Sequence, residues 1–80
     1  MTLDVLLFAS YADAVGAPQV RVTVPTGARV RDVVAEVRAV APALVLPARP
    51  LVAINQRYAP ADQLVLVGDE VALFPPVSGG

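Results

Sequence analysis

The spacing of apolar residues changes along this chain, and each change marks an element. Leu3 to Ala9 is almost continuously apolar. As a strand it sends Val5 and Leu7 to one face and Leu6 and Phe8 to the other, so both faces carry apolar side chains. Ser10-Tyr11-Ala12-Asp13 has the form of a capping box with a short acid, which predicts a helix of one or two turns, stopped by Gly16 ahead of Pro18. Val20, Val22 and Val24 alternate with Arg21 and Thr23, the pattern of a half-buried strand closed by Pro25-Thr26-Gly27. Val30, Val33, Val34, Val37 and Ala41 keep the spacing of an amphipathic helix, with Arg31, Asp32, Glu36 and Arg38 on its solvated side.

Beyond Pro42 the chain reads as a connection as far as Pro50, with a short turn at Ala43–Leu46. Leu51 to Ile54 predicts a short strand, Asn55-Gln56 a tight turn, and Arg57-Tyr58 the start of the return. Pro60-Ala61-Asp62 breaks the chain, and the apolar run Leu64 to Val67 fits helix or strand equally. Gly68-Asp69 then turns into a last strand, Glu70 to Phe74. This order predicts an α+β domain of the β-grasp, ubiquitin-like type: a mixed sheet with one main helix on one face. A ferredoxin-like split needs two full crossover helices, and the first helix here is too short.

Composition narrows the chemistry. Eighty residues make one domain, and a chain of that size buries only about 60% of the surface it exposes when unfolded. Hydrophobic residues are 56% of it, more than so small a core consumes. Part of that surplus is expected outside, as an apolar patch that meets a partner. Six Arg, seven acidic residues and no Lys give a net charge of −1, with no basic stripe for nucleic acid. The apolar runs are too short to span a bilayer, and Met1-Thr2-Leu3-Asp4 has no basic segment of a signal peptide, so a cytoplasmic protein is expected, with no membrane partner. Without His or Cys the chain lacks the usual general base, zinc ligands and nucleophile pairs. Neither a metal site nor an autonomous active site is expected; Asp69 and Glu70 are adjacent, but in a strand they would face opposite ways.

The chain's end is its most distinctive stretch. Pro75 and Pro76 cannot donate to a sheet ladder and hold the exit stiff, and Val77-Ser78-Gly79-Gly80 is small and uncharged. The expectation is a folded domain over residues 1–74 and an extended tail over 75–80 that threads a narrow pocket of another protein. A frayed terminus or an added scar is the plainer alternative.

Val5-Leu6-Leu7-Phe8-Ala9, Val52-Ala53-Ile54-Asn55-Gln56, and Gly68-Asp69-Glu70-Val71-Ala72-Leu73-Phe74-Pro75-Pro76-Val77-Ser78-Gly79-Gly80, the last being the specific one, together resemble the small subunit of molybdopterin synthase, within the MoaD/ThiS family of ubiquitin-like sulfur carriers. The resemblance implies a chain that carries sulfur on its own C-terminus. An E1-like adenylating enzyme (MoeB-like) would use ATP and magnesium to make an acyl-adenylate of Gly80, and a sulfur donor would convert it to a thiocarboxylate. A large synthase subunit (MoaE-like) would receive the tail and pass the sulfur to cyclic pyranopterin monophosphate, the synthase being a heterotetramer. No cofactor would be bound by this chain itself. On this reading Gly80 is the reacting group, Pro75, Pro76, Val77, Ser78 and Gly79 thread the partner, and Phe8, Tyr58 and Phe74 bind it. Two positions depart from the family pattern: Arg29 replaces a capping Thr or Ser, so the main helix is expected to start unusually, and Val67 adds exposed apolar surface. Competing readings are a ubiquitin-like modifier joined to lysines through Gly80, a carrier for a thiamine-type pathway, and a binding module with an inert tail.

Overall fold

The pleat sorts the first strand as its sequence dictates. In the computed structural model, which describes residues 1–76, β1 (Thr2–Leu7) buries Leu3, Val5 and Leu7 and leaves Thr2 and Asp4 exposed. Five strands form one mixed sheet in the order β2-β1-β5-β3-β4, where β2 is Gln19–Thr23, β3 Leu51–Ile54, β4 Arg57–Tyr58 and β5 Val71–Phe74. The last strand lies at the centre, parallel to β1 and antiparallel to β3. One face is covered by α2 (Val30–Val40), and the core between them holds Val5, Val22, Val33, Val37, Val65, Val71 and Leu73. The domain is therefore of the β-grasp type, as the element order predicts.

Helix α2 buries the predicted stripe, Val30, Val33, Val34, Val37 and Ala41. Its start is built without a capping hydroxyl. Asp32 Oδ2 accepts the Arg29 N–H at 2.8 Å, which is half of a capping box. The next two orphan donors, the N–H groups of Val30 and Arg31, reach the carbonyls of Gln63 and Ala61 at 2.9 Å each. The Arg29 guanidinium donates to the Asp62 carbonyl at 2.6 Å and holds that loop in place. The helix start is thus satisfied by a distant segment rather than by its own sequence.

Three local expectations are corrected. Ser10 does not cap α1 (Ser10–Val15): it already lies in the first turn, and the cap position is Ala9 at φ 51, with no side chain bonded to it. The chain leaves β1 so sharply that the helix begins one residue early, at a backbone conformation unusual for alanine. Arg38 is not merely solvated, because it donates to the carbonyls of Leu46 and Pro47 at 3.0 and 2.6 Å and ties the 41–50 connection to α2. Glu70 falls just outside β5, its N–H taken by the Asn55 side chain. The ambiguous run resolves as irregular chain: Leu64 bridges to Arg29, Val65 is buried, and Leu66 and Val67 are exposed.

Candidate functional site: an aromatic patch beside the chain's exit

On the face away from α2, the same alternation that buries Val71 and Leu73 turns Ala72 and Phe74 outward. Register does the rest. Leu51 pairs with Phe74 and Ala53 with Ala72, while Ala53 also pairs with Tyr58. On the other side of β5, Leu6 lies beside Ala72 and Leu7 beside Leu73, so Phe8, just past β1, comes level with Phe74. Three aromatics from three separate segments meet there.

Phe8 and Phe74 stack with ring centroids 4.7 Å apart and planes 7° from parallel. Tyr58 meets Phe74 edge-on, at 6.2 Å and 74°. Both arrangements suit the quadrupoles of the rings. Ala53 and Ala72 floor a groove of about 320 Å³, with Gln56 and Glu70 on its polar rim. The two alanines are buried although no helix covers them, because aromatics stand over their small side chains. The aromatics themselves remain in water: Phe8 is 42% exposed and Tyr58 71%. All three predicted partner-binding residues therefore share one surface. Aromatic side chains in a desolvable cluster are the usual anchors of protein interfaces.

The patch is held by a clasp that sequence reasoning missed. Asn55 and Gln56 both adopt positive φ, at 51° and 70°, making the tight turn between β3 and β4. From that turn Asn55 Nδ2 donates to Asp69 Oδ1 at 2.9 Å, and Asn55 Oδ1 accepts the Glu70 N–H at 2.9 Å. Asp69 Oδ2 accepts the Leu66 N–H at 2.8 Å and closes its own turn. The Asn55-Gln56 and Gly68-Asp69-Glu70 segments, separate in sequence, are thus one hydrogen-bonded unit that sets the approach to β5. An Asn at a positive-φ turn and an Asp after glycine were the available signals. Nothing in their spacing paired them.

Pro75 and Pro76 follow Phe74 outside any strand, Pro75 half-buried and Pro76 exposed. The predicted threading residues Val77, Ser78 and Gly79 and the predicted reacting residue Gly80 lie outside the described residues. Among the described residues no group of three or more acidic, His or Cys side chains could hold a metal, and no helix is long and apolar enough to cross a membrane.

Fold and patch together define a ubiquitin-like protein with an exposed aromatic patch beside the exit of its last strand. The ThiS family matches residues 5–80, and the chain belongs to that family. It is similar to the molybdopterin synthase sulfur carrier subunit of Chlamydomonas reinhardtii, with 39% identity over 83 residues that cover 100% of each chain. The Arabidopsis thaliana protein of the same name is 30% identical over 79 residues, covering 98% of this chain and 82% of that one. Among solved structures, SAMP1 from Haloferax volcanii, the small archaeal modifier protein 1, superposes with a TM-score of 0.84 at 34% identity over 100% of both chains.

Proposed function

We propose that this chain is the sulfur carrier subunit of a molybdopterin synthase, with the Gly80 carboxylate as the group that is loaded. The observation that carries the reading is the end-to-end similarity to relatives bearing that name. The aromatic patch supports it, since a carrier must be recognised by more than one protein. In the proposed cycle an E1-like enzyme joins Gly80 to AMP from magnesium-bound ATP and releases pyrophosphate. A sulfide-level donor then forms the C–S bond as AMP leaves. The resulting thiocarboxylate passes its sulfur to the cyclic pyranopterin inside the large subunit, and water restores the carboxylate. A carboxylate is a poor acyl donor until it has a good leaving group, so the activating enzyme supplies the energy and the carrier supplies position. This chain binds neither the ATP nor the magnesium. Phe8, Tyr58 and Phe74 dock the domain, and the stiff Pro75-Pro76 exit directs Val77 to Gly80 into the partner.

Mass spectrometry of the C-terminus, after incubation with an adenylating enzyme, ATP, magnesium and a sulfide donor, tests this directly. A thioacid on Gly80 is expected, and deleting Gly80 is expected to abolish loading with an unchanged melting curve. A Gly80-deleted chain that still supports synthase turnover would sink the reading. The similarity to SAMP1 favours one second reading, a protein modifier joined to lysines of targets through the same carboxylate. Native protein isolated with isopeptide-linked targets, and without thioacid, would decide for the modifier.

A further inference from the structure

A second groove, of about 560 Å³, lies at the end of the sheet where β3 begins, between the start of α2 and the Ala59–Ala61 segment. Its apolar walls include Val34 of α2, Leu51 of β3 and Ala61, and its charged lining residues among those described are Arg31 and Arg49. The backbone donors of the first turn of α2 are already bonded to Ala61 and Gln63, so the groove's positive character comes from the two guanidinium groups. Arg29 and Arg38 donate to backbone carbonyls and Arg21 pairs with Asp4, whereas Arg31 and Arg49, like Arg57 of β4, make no side-chain hydrogen bond or ion pair among the described residues. Arginine heads left unpaired over apolar walls are complementary to a carboxylate carried on an apolar stem.

The location points to the occupant. Leu51 pairs antiparallel with Phe74, so the residues before Leu51 and those after Phe74 leave the sheet at the same end. Arg49, two residues before Leu51, therefore lies at the same end of the sheet as Pro75 and Pro76. We propose that this groove receives an acidic, apolar segment of a partner that grips the terminal segment, with an aliphatic side chain against Val34, Leu51 and Ala61 and carboxylates on Arg31 and Arg49. The partner would then hold the domain at two places, the aromatic patch on the open face and this arginine-flanked groove at the end of the sheet.

The inference rests on the terminal segment having a protein that receives it, but its test leaves that segment untouched, so the two readings fail separately. The full ¹⁵N-labelled chain is titrated with the blocked peptide Ala-Glu-Leu-Glu-Ala and with its lysine counterpart Ala-Lys-Leu-Lys-Ala. Expected shifts fall on the amides of Val34, Arg49, Leu51 and Ala61, with the glutamate peptide favoured at least about ten-fold. That preference should fade in roughly 0.5 M salt. The variant R31E/R49E should reverse it, and R31Q/R49Q, which keeps size and solubility, should erase it. Equal response to both peptides, shifts centred on Phe8, Tyr58 and Phe74, or no shift at millimolar peptide would each overturn the proposal.

Discussion

The two faces of the central sheet are made by the same strands and differ in almost everything else. Under α2 the side chains are valines and leucines, and Val5, Val71 and Leu73 are nearly or wholly inaccessible. On the open face β5, β3 and β4 carry Ala72, Phe74, Ala53 and Tyr58, with the aromatics partly in water, while β1 and β2 show Thr2, Thr23 and the Asp4–Arg21 ion pair. Aliphatic packing removes area from solvent and fixes the fold. Exposed stacked rings contribute less to the fold, and keep their surface for something else to cover. In a domain with so little interior, the pleat divides buried from exposed apolar side chains residue by residue, and under the proposed function neighbours such as Leu73 and Phe74 have unlike duties.

The sharpest test sets those two neighbours against each other. Leu73→Ala, at a site 1% exposed, is expected to cost about 2–5 kcal/mol in denaturant unfolding, which threatens the fold of so small a domain. Phe74→Arg should cost only about 1 kcal/mol, the worth of its stacking on Phe8 and edge contact with Tyr58. It should nonetheless abolish complex formation with the large synthase subunit in gel filtration, because an unpaired guanidinium would be buried. If Phe74→Arg melted as early as Leu73→Ala, the division between the faces would be lost.

How much of this division could be read beforehand follows from its physical origin. Alternation is local, so the buried set on β1, β5 and α2, and the outward turn of Phe8 and Phe74, were legible in the spacing of the residues. The fold class was legible in the order of elements. Long-range hydrogen bonds were not, since they depend on which loops the closed sheet brings together. Hence the Asn55–Asp69 clasp, the support of α2 by Ala61 and Gln63, and the grip of Arg38 on Leu46 and Pro47 had no signature. Ser10 misled because its motif is common at helix starts, and only the positive φ at Ala9 displaced it.

A subtler test concerns the helix-side interior. Tyr11 is buried and its hydroxyl has no partner among the described residues. Burial raises its pKa above the ordinary phenol value, and the nearby Arg38 charge offsets part of that rise. The folded chain therefore favours the protonated form. Its contribution is complete below the unfolded value of about 10, and is lost as pH rises through the higher folded value. Tyr11→Phe should leave stability at neutral pH within about 1 kcal/mol of the parent, and should remove the alkaline loss in a pH series of denaturant midpoints. A parent and variant that fall together above pH ~10 would show that the hydroxyl is solvated.

The smallest effect belongs to the turn behind the open face. Gln56 holds φ 70, where glycine is at ease and other residues are strained. Gln56→Gly, giving the preferred Asn-Gly hairpin pair, should stabilise by roughly 0.5 kcal/mol and raise the melting midpoint by a few degrees. A loss of stability would mean that Gln56 packs on the rim of the aromatic groove more firmly than its exposure suggests.

The parallel pairing of β1 with β5 has a mechanical meaning. Val5, Leu6 and Leu7 run alongside Val71, Ala72 and Leu73 in the same direction. Tension applied forward along the end of β5, with the start of β1 held back, would slide these strands past each other instead of peeling them apart. In that geometry the slanted ladder bonds between them share the load and must fail together, whereas peeling would break them in sequence. A pull on the terminal segment against a hold at the start of β1 thus loads the sheet along its strong direction.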